Sequence, residues 1–224
     1  MNNEGYLQKD ISYFINPRLD LISLMPANPG QKVLEIGMGG GDTLVYIKKQ
    51  KLAEEVFGID IIRLSGTNQD SHFIDKTYFL DLEEEHLPFA DNYFDVIIAG
   101  DVIEHLITPW DVLKKLNKVL KPGGCMLISI PNIRDIHALY SILFKGRFEY
   151  TTQGIFDKTH MRFFCKKDMI ALINSVGKLK IENIIPIQNF GNKNPKRKLF
   201  NKLSFKIFEE FTTSQYLFRV TKMQ

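Results

Sequence analysis

Several short stretches of this 224-residue chain carry side chains able to do chemistry. Glu35 heads a run in which glycine recurs at every second position: Gly37, Gly39 and Gly41. Asp60-Ile61 and Asp81-Leu82 each close an apolar segment, and Asp101, Glu104 and His105 crowd together after another. His160 lies in Asp157-Lys158-Thr159-His160-Met161-Arg162-Phe163-Phe164. Bare glycine N–H groups at a strand-to-helix turn can approach a ligand closely. A carboxylate beside them suits a cationic ligand and would repel a pyrophosphate. An ordinary imidazole titrates near pH 6.5, so His105 and His160 can accept a proton at neutral pH. Asp101, Glu104 and His105 also offer two oxygens and a nitrogen on one turn, a possible divalent-metal set.

A particular architecture would bring these residues together. Val33–Ile36, Glu55–Asp60, Thr77–Leu80 and Tyr93–Ala99 read as short strands, as do Cys125–Ile130, Lys180–Ile185 and Gln215–Lys222. Runs such as Val96-Ile97-Ile98-Ala99 suit central parallel strands buried on both faces. Leu44–Lys49, Trp110–Leu120 and Lys167–Val176 read as helices, the last stopped by Gly177. Gln215–Lys222 alternates like a closing edge strand. The alternation predicts an α/β, doubly wound, mostly parallel sheet. In such sheets the residues just past the strand carboxyl ends face one crevice.

The glycine turn is no dinucleotide fingerprint, because G-x-G-x-x-G needs glycine where Asp42 stands, and it lacks the Gly-Lys-Ser/Thr of a P-loop. From Glu35 to Gly41 it matches E-x-G-x-G-x-G residue for residue, and Leu120 to Gly124 reads L-K-P-G-G before an apolar strand. In these motifs and their spacing the sequence, from about residue 31 to 177, resembles the class I S-adenosylmethionine (SAM) dependent methyltransferases. The resemblance implies a Rossmann-like, seven-stranded sheet with SAM as cofactor. Glu35, Gly37, Gly39 and Gly41 would then hold SAM, with Asp60 and Ile61 at the ribose and Asp81 and Leu82 at the adenine. Asp101 would meet the methionine part. Asp60 could instead cap a helix, and Asp81 could belong to a solvated acidic turn. The Asp101–His105 stretch is likewise explained by cofactor and acceptor contacts, and no metal is expected.

Residues 133 to 164 exceed a simple connection. Their D-x-T-H-x-R-F-F segment resembles a subgroup often linked to cell-surface polysaccharide and capsule biosynthesis. That resemblance implies an acceptor pocket built from the insertion, with a small polar acceptor such as a sugar derivative or phospho-amino alcohol methylated on O or N. His160 and His105 are the candidate bases; His160 could instead hydrogen-bond a backbone carbonyl. Asn132, Arg134 and Arg162 are candidate acceptor contacts, the arginines suiting a phosphate or carboxylate. Tyr13 and Arg18, in an N-terminal extension split by Pro17, are candidates for a helical lid or a plain packing helix. The rival readings are a quinone or aromatic O-methyltransferase with a divalent metal, and a non-catalytic SAM-binding module.

Composition sets the outer bounds. Apolar content of 44% and charged content of 25% suit one α/β domain over residues 1–224. It would divide into a cap (1–30), a SAM-binding core (31–131), an acceptor-binding insertion (132–165) and a C-terminal part of the sheet (166–224). A net charge of +3, with no N/D-P-P-Y motif, argues against a nucleic-acid partner. Cys125 and Cys165 have no C-x-x-C spacing, and the first residues have no apolar signal core, so a cytoplasmic monomer or homodimer is expected. Lys198, Lys202 and Lys206 line one face of an apolar-striped helix, either a solvated face or a weak contact with an anionic membrane.

Overall fold

The structure, a computed structural model, describes residues 14–188 and 208–224. Seven strands form one sheet in the order β3-β2-β1-β4-β5-β7-β6. They are β1 Lys32–Ile36, β2 Glu55–Asp60, β3 Lys76–Phe79, β4 Phe94–Gly100, β5 Leu120–Pro131, β6 Leu179–Ile187 and β7 Gln215–Lys222. The first five run parallel, and β7 is antiparallel to both its neighbours. Helices α1 Leu19–Ile22, α2 Asp42–Lys49, α3 Pro109–Val119, α4 Ile136–Lys145, α5 Lys166–Ser175 and α6 Glu209–Thr212 connect or flank them. Among the described residues no helix is long and apolar enough to cross a membrane.

The apolar runs explain the sheet's centre. Val33, Leu34, Ile36, Val96, Ile97 and Ile98 are fully buried, and alternate residues face separate apolar clusters on the two sides of the sheet. Each such side chain contributes about 1.5–3 kcal/mol by leaving water. Chain order reverses at β1, which pairs with β2 on one side and β4 on the other. Ile36 is level with Ile59 and with Ala99, so the residues just beyond all three strands share one rim. This is the switch point at which open α/β sheets form their crevice.

Three elements differ from the sequence expectation. Lys121 to Gly124, placed ahead of the expected strand Cys125–Ile130, run within the longer β5. Strand β7 is interior: its residues are mostly buried, and β6 forms the sheet edge instead. Helix α4 has no sequence forecast, because its apolar residues mark no core-facing stripe; Ala138 is its one fully buried residue. Asp135 caps it by accepting the His137 N–H at 2.9 Å, and Gly146, at φ 61°, ends it. The first half of the N-terminal extension, with Tyr13, and the lysine-faced helix lie outside the described residues.

Candidate functional site

A crevice of about 740 Å³ lies over the carboxyl ends of β1, β2 and β4. At its β1–β2 end the glycine turn supplies the floor. Gly37 and Gly39 take φ of 61° and 53°, in the left-handed region that glycine adopts without strain. A Cβ on Gly37 would fall 2.4 Å from Val102 Cγ2, so the turn must pass bare beneath the loop after β4. Gly41 does not line the crevice; with φ 84° it opens α2, packed against Ile74 and Asn68. Phe14 closes the turn from above, its carbonyl accepting the Gly40 N–H at 2.8 Å. Phe14, Ile15 and Asn16 thus form a wall of the crevice.

Carboxylates dominate this end. Glu35 is 4% exposed, and its Oε2 has no hydrogen-bond partner among the described residues. Burial pushes its pKa up to about 8, against the pull of the Thr43 hydroxyl and the Arg18 charge. Asp60 accepts the Gly39 N–H at 2.9 Å and the Ile62 N–H at 3.0 Å, which tie the end of β2 to the turn. Burial raises its pKa, while those N–H groups lower it. Ile61, Asp81 and Leu82 continue the wall.

Asp101 belongs to a clasp. It holds φ 56°, an uncommon backbone for an aspartate. Its Oδ2 takes Arg18 Nη1 at 2.9 Å, and its Oδ1 accepts from Ser129 Oγ at 2.7 Å and from Gln215 Nε2. Arg18 also forks onto Asp20 and reaches Ser129 Oγ at 3.1 Å. The lid candidate Arg18 is therefore fixed at the centre of the crevice by these acids.

The other end is assembled from distant chain. Ile103–His105 form one 3-10 turn, in which Glu104 is 1% and His105 5% exposed. The insertion docks on this turn: the N–H groups of Met161 and Arg162 donate to the Glu104 carbonyl at 2.8 and 2.9 Å. Asp157 shapes the docking loop by accepting from the Thr159 N–H and hydroxyl at 2.9 and 2.7 Å. The Thr159 carbonyl then meets His105 Nδ1 at 3.0 Å, and the Ile155 carbonyl meets His160 Nδ1 at 3.0 Å. One ligand atom from each of Glu104, His105 and His160 lies within 4.8 Å of the others. Among the described residues neither oxygen of Glu104 has a hydrogen-bond partner, and burial drives its pKa well above the carboxylate range.

The metal set open to the sequence thus changes by one member, because Asp101 is consumed by the clasp and His160 stands in its place. Asn132, Arg134 and Arg162 do not line the crevice. Asn132 is fully buried and donates to the Glu210 and Thr213 carbonyls at 2.8 and 2.7 Å. Arg134 pairs with Glu210, and Arg162 donates to the Ile107 carbonyl while covering the Trp110 ring. Each finds its partner nearer than the crevice. Sequence reasoning missed Phe14, Ile15, Asn16, Thr43, Gln153 and Gly154, which carry no motif.

The model of the family described as "Methyltransferase domain" matches residues 34–128. The chain is similar to ubiquinone/menaquinone biosynthesis C-methyltransferases UbiE. Identity to that of Vibrio cholerae is 28% over 125 residues, 51% of this chain and 47% of the relative. That of a Shewanella strain is 29% identical over 133 residues, 54% of this chain and 53% of the relative. The chain spans about half the length of these curated relatives. Among solved structures it resembles a SAM-dependent methyltransferase of Archaeoglobus fulgidus (TM-score 0.62, 17% identity, 98% of this chain and 97% of that one). One from Mesorhizobium loti gives a TM-score of 0.64 at 14% identity, over 91% of this chain and 96% of that one. The fold is that of solved SAM-dependent methyltransferases.

Proposed function

We propose that this chain transfers the methyl group of SAM to an oxygen or ring carbon of a hydroxylated aromatic acceptor of the quinol class. Glu104, His105 and His160 would activate the acceptor's hydroxyl. The observation that carries this reading is the convergence of those three buried groups at the crevice, whose lining also includes the apolar side chains of Val102, Leu106 and Pro131. Among the described residues Arg18 is the only lysine or arginine lining the crevice, and it is already paired with Asp20 and Asp101. An anionic sugar or phospho-amine would therefore lose its solvation without gaining a cation, since Arg134 and Arg162 lie elsewhere. The names of the UbiE relatives point to the same acceptor class.

The roles divide along the crevice. The Glu35 carboxylate offsets the cofactor's positive charge, Asp60 accepts from the ribose hydroxyls, and Asp81 with Leu82 borders the adenine. The sulfonium already activates the methyl carbon, so the protein's task is alignment and exclusion of water, which the wall from Phe14 to Asn16 assists. As the acceptor hydroxyl loses its proton at the histidine cluster, its oxygen or the adjacent ring carbon attacks the methyl. The carbon–sulfur bond breaks, its electron pair stays on sulfur, and the neutral thioether leaves. When carbon is the nucleophile, loss of the ring proton then restores aromaticity. The test measures SAM consumption with quinols and catechols against nucleotide sugars and phospho-amino alcohols. Product is expected with the ring hydroxyls; methyl transfer confined to the sugars or amines would overturn the reading.

A further inference from the structure

We infer that Arg162 and Glu83 are positioning residues, which hold His160 at the crevice by gripping one backbone peptide from both sides. This role rests on the proposed work of His160 at the acceptor hydroxyl and adds what keeps that side chain in place. The peptide joins Ile107 to Thr108, just past the turn that carries Glu104 and His105. Its N–H, on Thr108, donates to Glu83 Oε1 at 2.6 Å. Its carbonyl, on Ile107, accepts from Arg162 Nε and Nη2 at 3.1 and 2.5 Å. Glu83 also accepts from the Ile107 N–H at 3.1 Å and from the Thr108 hydroxyl at 3.0 Å.

Arg162 stands two residues after His160, and its own N–H donates to the Glu104 carbonyl at 2.9 Å. Side chain and backbone thus seat the same segment on the same turn. The side chains flanking this contact lend it little burial, since Ile107 is 46% and Met161 53% exposed. Hydrogen bonds therefore have much of the contact to hold. The two grips reinforce each other. A carboxylate at the N–H end of a peptide pushes electron density toward its carbonyl oxygen, which the guanidinium then binds more strongly. Glu83 in turn stands on fixed backbone: Lys115 Nζ donates to the Leu82 and Glu83 carbonyls at 2.8 Å and to that of Glu85 at 3.0 Å. The loop that borders the crevice at Asp81 and Leu82 is in this way tied through one peptide to the segment of His160. Arg162 also covers the Trp110 ring, at 5.5 Å. Methionine at this position keeps an apolar stem over the ring but no donor, whereas lysine keeps a cationic donor without the fork.

Amide hydrogen exchange of the full chain reads the grip directly. Arg162→Met should speed exchange across residues 157–163 by about 10-fold, the scale of a lost charge-assisted hydrogen bond, with the amides of β1 and β4 unmoved. SAM affinity should stay within a few-fold of the parent. Arg162→Lys should recover part of the protection. Combining Arg162→Met with Glu83→Gln should cost less than the sum of the two, because both act on one peptide. With whichever acceptor of the panel yields product, Arg162→Met should lower kcat by about 10- to 100-fold, as a slightly misplaced group does, and leave the acceptor KM nearly constant. Unchanged exchange in 157–163 would overturn the inference, as would faster exchange there with kcat intact. Faster exchange throughout the sheet with loss of SAM affinity would mark a general defect of the fold and overturn it equally. The exchange readout needs no acceptor, so it stands even if the aromatic-acceptor reading fails.

Discussion

The two ends of the crevice are built by different means. At the cofactor end, residues 35 to 41 form a continuous turn, and Asp60 fastens it through the backbone N–H of Gly39. At the acceptor end, His105 meets the carbonyl of a residue 54 positions later. The first end is written in consecutive residues and is suited to one constant ligand. The second depends on how an insertion is seated, so under the proposed roles changes there would alter the acceptor and spare the cofactor.

Separate damage at the two ends tests that division. The largest effect is expected for His160→Ala, where turnover should fall by roughly two to four orders of magnitude, the scale of a lost proton-transfer group. SAM affinity by calorimetry should stay within a few-fold of the parent. A variant that turned over normally would detach the insertion from the chemistry. Asp60→Ala should show the opposite pattern. Charge-assisted hydrogen bonds lost to the ribose are worth about 1.5–3 kcal/mol each, so SAM affinity should drop by one to two orders of magnitude or more. Turnover at saturating SAM should change much less. A collapse of that rate with affinity intact would mean that the two ends are not separable.

The smallest effect concerns pH. With its pKa pushed up to about 8, Glu35 is largely protonated in the empty crevice at neutral pH, whereas a cationic cofactor favours the carboxylate. SAM affinity should therefore rise with pH and level off near 8, by at most about tenfold per pH unit. Calorimetry at pH 7 in buffers of different ionisation enthalpy should find up to about one proton released on binding. Affinity flat across this range would remove Glu35 from the cofactor's charge balance. For the empty protein the sign is opposite. The folded state keeps a proton that the unfolded chain has lost, so this contribution to stability is full below the usual carboxylate pKa and vanishes as pH rises towards 8.

The same contrast explains what the sequence could tell. The glycine turn is legible because its requirement is a backbone one, φ of 61° and 53° at Gly37 and Gly39, which few other residues meet. The buried strands are legible because continuous apolar runs have few other uses. Arg134 and Arg162 mislead because residue type says what a side chain can bind, not which partner stands nearest; Glu210 and the Ile107 carbonyl take them. Asp101 does line the crevice, but spacing does not show that its oxygens are taken by Arg18, Ser129 and Gln215. Glu104 and His160 both stand out as residues, but their meeting depends on the Asp157 turn and the docked backbone of Met161 and Arg162. Spacing along the chain does not reveal that contact.

Placing β7 between β5 and β6 has a consequence for the order of assembly. Of the seven strands, the one latest in chain order is interior. At about 5–20 residues per second, the ribosome needs roughly 4 to 17 s to travel from Pro131, where β5 ends, to Gln215, where β7 begins. Throughout that interval the growing chain carries β5 with an open hydrogen-bonding edge, the kind of edge that pairs with other chains. Helix α4 and the insertion emerge while that edge is uncovered. When β7 slides in, it seals the edge, and Gln215 at its first position reaches Asp101 in the crevice.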